Sequence, residues 1–423
     1  MPDGDPHRRT GADTAAVVDT AALVEIIRLE RAGVVATLRR LTGDLERAED
    51  AFHDAVEVAL SAWTERVPDR PGAWLTTVAR RKALDHLRRE GHRGPKEQEA
   101  MAVLDDDAPR EFHDIRDDQL RLIFTCCHPA LSPDARVALA LRVICGLTTA
   151  EIARAFLTPE PTIGQRISRA KAKLAGAHIP YRVPDVDELP SRLAAVLAVV
   201  NVVFTTGHHA PAGAELVRLD LAVEALRLAE LLADLMPGEP EIHGAIALFE
   251  SSMARRTTRI DGDGSIVTLR DADRTRWDRA LATRANERLE AAMRLGRPGP
   301  FQLQAAISCL HSSAPSHDET DWLQIVELYG WLEHVRPSPI VTVNKAIAVA
   351  QAHGPEAALD VIDGVSGLDD WHFLHLARAD ALETAGRLDD AISAVDTALD
   401  CSQSEIERRH TEQRRARLVA LHG

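Results

Sequence analysis

The stretch LTTAEIARAFLTPEPTIGQRISRAKAKLAG, residues 147–176, constrains this chain more than any other. It reads as two short helices meeting at a tight turn. Thr148 followed three positions later by Glu151 is a capping-box pattern, in which each side chain satisfies a backbone donor left open at a helix start. Ile152, Ala153 and Phe156 form the buried side of the first helix. Leu157-Thr158 makes the turn. Thr158 is expected to cap the second helix, with Pro159 at its first position and Pro161 within its first turn, where a missing N–H removes no intrahelical bond. Ile163, Ile167, Ala170 and Leu174 then mark an inner face. Thr162, Gln165 and Arg166 stand near the start of this second helix, where a helix seated in the major groove presents Arg and Gln to base edges. Arg169, Lys171 and Lys173 suit phosphates. The same pattern also describes a solvated charged face on an ordinary helical hairpin.

A second basic patch lies upstream. Between 80 and 96, seven Lys or Arg (Arg80, Arg81, Lys82, Arg88, Arg89, Arg93, Lys96) stand against two acids, Asp85 and Glu90. Ahead of it runs an acidic segment with Glu46, Glu49, Asp50, Asp54 and Glu57. One patch suits nucleic acid and the acidic helix suits a basic partner protein. This order of charges occurs in a chain whose formal net charge is -15.

With 423 residues the chain is too long for one core. Aromatics are only 4%, and Ala, Leu and Arg recur throughout, so helices are expected over sheets. The expected fold is all-α, in blocks: a flexible tail at 1–19, helices over 20–92, a polar linker at 93–113, helices again over 114–182, an extension over 183–299, and a last helical block over 300–423. In the first block Phe52, Val56, Leu60 and Trp63 fall on one face at helical spacing. RRTTRIDGDGSIVTLRD reads as the one β signal, a short hairpin near 256–270; its DGDG lacks the spacing of a calcium loop. In the last block Gly354 and Gly386 are offset by about one tetratricopeptide repeat, with Ala-rich helices after each; two Ala-rich helical hairpins are the plainer description. No apolar run is expected to reach the length of a membrane span, and no signal-peptide pattern opens the chain. The cysteines, Cys126, Cys127, Cys145, Cys309 and Cys401, are odd in number and scattered, which suits a reducing cytoplasm better than a disulfide framework, and in FTCCHP adjacent Cys126 and Cys127 are expected as buried small hydrophobes rather than ligands.

These motifs, in this order, resemble the extracytoplasmic-function sigma factors of bacterial RNA polymerase, over about 20–182. Glu49-Asp50 through His53-Asp54 is similar to the family's helix that grips the β′ clamp, although the family usually has Gln-Glu in place of His53-Asp54. PGAWLTTVARRKALDHLRR is similar to its promoter-melting, −10-reading segment, and 147–176 to its −35-reading helix-turn-helix, with Pro161 where Gly is usual. The resemblance implies two small helical sigma domains, domain 2 at 20–92 and domain 4 at 114–182. It implies core polymerase contacts at Glu49, Asp50 and Asp54. It implies −10 contacts at or near Arg80, Arg81, Lys82, Asp85, Arg88 and Arg89. For the −35 element, Thr162, Gln165, Arg166 and Arg169 would face the DNA, with Lys171 and Lys173 on phosphates. Trp74 has two readings, stacking on an unpaired base or packing between helices, and packing is favoured. The tail looks like the tetratricopeptide-like extension of one sigma subgroup. There NVVFTTGHHA carries Thr205, Thr206 and His208 where the subgroup reads more like FNEGY, and neighbouring His208 and His209 do not converge as a metal pair. DADRTRWDRAL, with Arg274, Trp277 and Asp278, reads either as a helix-start packing motif or as a binding site.

The partners so implied are core RNA polymerase, through the β′ clamp and β flap, and promoter DNA, with the chain's own tail or another regulatory protein as a further partner. No membrane, cofactor, metal or enzymatic activity is expected, because no nucleophile–base pair, phosphate loop or metal cluster stands out. The competing expectation is a free-standing helix-turn-helix regulator with a sensor domain, which has no need for residues 46–89.

Overall fold

The computed structural model describes residues 20–64, 66–89, 112–156, 158–177, 179, 181–208, 215–259, 267–402 and 405–422. Among these, every regular element is helical. The chain divides into two compact units, one ending at Val199 and the other beginning at Val200.

The first unit holds α1 (Thr20–Thr42), α2 (Leu45–Ala62), α3 (Pro71–Arg89), α4 (Phe112–Cys126), α5 (Pro133–Val143), α6 (Thr149–Ala155) and α7 (Glu160–Gly176). α1 is its hub and packs against α2, α3 and α4. The reason lies in its sequence: Val34, Val35, Ala36 and Leu38 follow one another, so it is apolar on several sides and buried there. Asp44 caps α2 by accepting from Arg47 N at 3.0 Å. The buried side of α2 is Leu45, Ala48, Glu49, Ala51, Phe52, Ala55 and Ala59, continued by Trp63. Leu60, expected with Phe52 and Trp63, is instead exposed, and the buried face of α2 is made largely of small alanines. Trp63 is 1% exposed and lies 5.1 Å, ring to ring, from Trp74 on α3. Trp74 thus packs between helices. Cys126 and Cys127 are both buried, and burial pushes the Cys127 thiol up to about 12. The segment after α7 is tied back to the unit: the Tyr181 hydroxyl lies 2.9 Å from Ala36 O and 3.2 Å from Asp118 O.

α8 (Leu189–His208) begins in the first unit, where Arg192 donates to Phe124 O at 2.8 Å, and runs on past its end. Contrary to expectation, Leu189–Gly207 is long and apolar enough to cross a membrane, with mean hydropathy 1.6. The stretch LAAVLAVVNVVF produces this, since β-branched and Leu residues follow without a charge. Leu193, Val196, Leu197, Val200, Val203 and Phe204 are nonetheless buried in the protein, and 39% of the apolar window is buried in all.

The second unit continues with α9 (Glu215–Leu235), α10 (Pro240–Ala254), α11 (Arg279–Met293), α12 (Pro300–Ser313), α13 (Trp322–Val335), α14 (Pro339–His353), α15 (Pro355–Asp363), α16 (His372–Thr384), α17 (Leu388–Asp400) and α18 (Glu405–His422). From α12 onward each helix packs on the next, the arrangement of a helical repeat array. Gly354 and Gly386, both at positive φ, stand at the turns of the hairpins α14–α15 and α16–α17. α10 and α12 come so close that a Cβ on Gly244 would lie 2.7 Å from the backbone nitrogen of Gln302. The carboxylate of Glu241 caps α12, accepting from Phe301 N at 3.0 Å and Gln302 N at 3.1 Å.

The expected hairpin near 256–270 is corrected in its flanks; DGDG itself lies outside the described residues. Arg256–Thr258 is a 3-10 turn and Thr268 closes a turn with Asp271, so no strand forms among the described residues, although Val267 N donates to Arg259 O at 2.9 Å between the two flanks. Of DADRTRWDRAL, Asp278 caps α11 through Leu281 N at 2.9 Å, and the Trp277 indole donates to Thr258 Oγ1 at 2.7 Å. That is a helix-start packing motif.

Two outcomes are expected. Trp63→Ala removes a fully buried indole and costs about 3–5 kcal/mol, whereas Trp63→Phe costs far less, because the indole N–H has no partner to lose; urea unfolding separates these, and equal costs would contradict the packing. Burial and the nearby Arg255 and Arg274 hold His311 down to about 3. The unfolded chain therefore takes up a proton below about 6.5 that the folded chain refuses, so this group favours the fold above that pH and its contribution is lost as pH falls toward about 3. Histidine NMR should find the His311 ring neutral at pH 5; a cationic ring there would refute the burial.

Candidate nucleic-acid and polymerase interface

The helix-turn-helix forms as its sequence dictates at the first helix. Thr148 Oγ1 accepts from Glu151 N at 3.1 Å while the Glu151 carboxylate accepts from Thr148 N at 2.6 Å, a complete capping box. The second helix starts differently from expectation. Its cap is Pro159, and α7 proper begins at Glu160 with Pro161 in the first turn. Thr158 does not cap, because its hydroxyl donates back to Phe156 O at 3.0 Å. Ile163, Ile167, Ala170 and Leu174 are buried against the unit, as their spacing predicts.

On the opposite side, Thr162, Gln165, Arg166 and Arg169 share one face at helical spacing. Thr162, Gln165 and Arg169 are exposed, and Arg169 donates to Gln165 Oε1 at 3.1 Å. Arg166 is half-buried and pairs with Asp134 at 3.4 Å. By helical spacing Lys173 falls on that face too, whereas Lys171 does not. Lys173 Nζ donates to Ala130 O at 2.6 Å, and Lys171 Nζ lies 2.7 Å from Glu49 Oε2.

Glu49 is therefore not an exposed partner-binding acid in this structure. It is 3% exposed, with Arg31 Nη2 on its other oxygen at 2.7 Å. Arg31 is itself buried, donates from Nε to Val143 O at 3.1 Å, and lies 4.9 Å from the centre of the Phe52 ring. Burial lowers the Arg31 pKa, with Glu49 opposing. Arg28 Nε donates to Cys145 O at 3.0 Å. These contacts join the block over α1 to α3 to the helix-turn-helix block. Sequence reasoning missed Arg31; its signal was an arginine amid the apolar faces of α1. Asp50 remains exposed, and Asp54 lies 3.0 Å from His86 Nε2 on α3.

Along α3, Arg81, Asp85 and Arg88 are exposed, with Asp85 and Arg88 3.9 Å apart. Arg80 and Lys82 are half-buried, and the side chain of Arg89 lies outside the described residues, as do Arg93, Lys96 and His209. The structure thus presents a charged strip on α3 and a polar strip on α7. No group of three or more His, Cys, Asp or Glu able to hold a metal forms among the described residues.

Comparison with known proteins follows this division. Residues 26–93 match sigma-70 region 2, residues 121–174 match sigma-70 region 4, and residues 192–293 match a family of unknown function, DUF6596. The chain is 41% identical over 377 residues to an uncharacterized protein of Rhizobium meliloti, covering 87% of this chain and 89% of that protein. It is 31% identical over 157 residues to SigI of Mycobacterium tuberculosis, described as a probable ECF RNA polymerase sigma factor, covering 36% of this chain and 54% of that protein. No solved structure matches.

The buried cluster sets a stability order. Glu49→Gln strands the Arg31 charge in the interior and should cost about 3–5 kcal/mol. Lys171→Met, at a partly exposed partner, should cost about 1 kcal/mol or less. Urea unfolding of the two variants checks this, and the reverse order would contradict the assignment of Arg31 as the principal partner.

Proposed function

We propose a function from one premise: the chain belongs to the sigma-70 family, with region 2 and region 4 in order along its first unit. On this reading it binds core RNA polymerase, through the β′ clamp and β flap, and directs it to promoters. Asp50, Asp54 and Glu49 on α2 meet the polymerase. Arg80, Arg81, Lys82, Asp85, Arg88 and Arg89 lie at the −10 element. Thr162, Gln165, Arg166 and Arg169 read the −35 element, with Lys171 and Lys173 on phosphates. The observation that carries the reading is the pair of DNA-suited strips on α3 and α7, each opposite a packed apolar face in its own matched region. A free-standing regulator is the weaker reading, since it leaves α2 and α3 without a task.

Glu49 and Lys171 hold each other in the free chain, so they reach polymerase and phosphate only when the two blocks part. The free chain on this account is closed, and core polymerase supplies the interactions that replace the Glu49 contacts. An acidic whole assists, because repulsion from DNA keeps the free protein off non-specific sites. The second unit is the long extension of a sigma subgroup, and it regulates the first or supports its binding to core.

Run-off transcription on genomic promoters tests the proposal. Promoter-specific transcripts are expected only when core polymerase and this chain are both present. Tight sequence-specific DNA binding by the chain alone, with no association with core, would sink it. Truncation after His208, which keeps all of α8, should leave a folded first unit with altered transcription in the cell; unchanged transcription would remove the regulatory role from the second unit.

A further inference from the structure

Among the described residues of the second unit, half-buried Arg255 and buried Arg274 have no carboxylate partner. Arg255, the C-cap of α10, stands in the wall of a 390 Å³ cavity. Its Nη2 donates to Ser308 Oγ at 3.2 Å, and its buried Nε has no partner. Arg274 is 4% exposed; its Nη1 donates to the carbonyls of His311 and Ala314, each at 3.0 Å, and its buried Nη2 has no partner. Burial first, then repulsion by Arg259 and Arg274, drive Arg255 down to about 10. The buried carboxylate on the same helix, Glu250, is engaged elsewhere, by Arg284 at 2.6 Å and Arg288 at 3.6 Å.

Helix ends compensate only in part. The C-termini of α10 and α12 each supply about half a negative charge, against the full charges of Arg255 and Arg274. A buried cation left short of counter-charge is expensive, and an apolar side chain of similar size would pack there without that cost. The missing charge fits a ligand. The cavity has the form for one: Phe204, Leu248 and Trp277 make an apolar wall, and Arg255, Arg259 and Gln304 a polar one. Its volume suits a small organic molecule.

We propose that this cavity binds a small organic oxyanion, a carboxylate or phosphate monoester on an apolar body, its head on Arg255 and its body against Phe204 and Trp277. This goes beyond the promoter reading and does not rest on it, because the test reads binding by the chain alone.

The experiment is thermal melting of the full chain with benzoate, phenyl phosphate, inorganic phosphate or benzyl alcohol, each titrated to saturation or to its solubility limit. Benzoate or phenyl phosphate, at about tenfold its dissociation constant, should raise the midpoint of the second unit by about 2–5 °C, and the larger of the two shifts identifies the head group. Inorganic phosphate and benzyl alcohol should give much smaller shifts. Arg255→Met should abolish the response while leaving the ligand-free midpoint unchanged or higher, since a buried charge has gone. Ala272→Phe, which places a ring at the cavity wall without altering Arg255, should also abolish it. The proposal is overturned if neither aromatic anion shifts the wild-type midpoint, if inorganic phosphate matches them, or if the shift survives Arg255→Met.

Discussion

The first unit depends on one buried carboxylate. Glu49 lies between Arg31 of α1 and Lys171 of α7, both at 2.7 Å, and so joins two helical blocks. Removing such a group from water is costly, and two close cations with the surrounding hydrogen bonds offset that cost. An arrangement of this kind tolerates little: without Glu49, the buried Arg31 charge keeps the Val143 carbonyl and the face of Phe52 but loses its carboxylate. On the proposed function, a partner offering cations of its own takes the place of Lys171, the partly exposed member of the cluster.

The second unit balances its charge differently. Glu241 and Asp278 sit at helix starts, where carboxylates satisfy open N–H groups and meet the positive end of the helix dipole. Arg414 and Arg417 bind α18 to Asp380 and Glu383 on α16. Against these closed accounts of charge, the Arg255 and Arg274 pair stands out, and it lies where α10, α12 and the turn before α11 meet.

Much of the fold could be read from the residues. Helical class, the inner face of α7, the capping box at Thr148 and the buried cysteines all follow from local rules of spacing and capping. What escaped the sequence is tertiary. Leu60 has the right spacing for the core of α2, yet it is exposed and the alanines at 48, 51, 55 and 59 form the buried side. Thr158 looked like a cap, but its hydroxyl found a nearer carbonyl on Phe156. Of the proposed site, the face of Thr162, Gln165, Arg166 and Arg169 was legible from periodicity. The engagement of Lys171 with Glu49 was not, because a contact across 122 positions leaves no local pattern. The apolar run in α8 is itself plain in the sequence, against the expectation that none reaches the length of a membrane span, and Leu193, Val196, Leu197, Val200, Val203 and Phe204 within it are buried.

The central claim is that Glu49 exchanges its internal partners for polymerase. The most direct measurement is energy transfer between dyes placed at exposed Asp50 on α2 and exposed Arg169 on α7, with and without core RNA polymerase. The account predicts high transfer in the free chain and a marked fall when core is bound. Unchanged transfer in a chain that demonstrably binds core would contradict it.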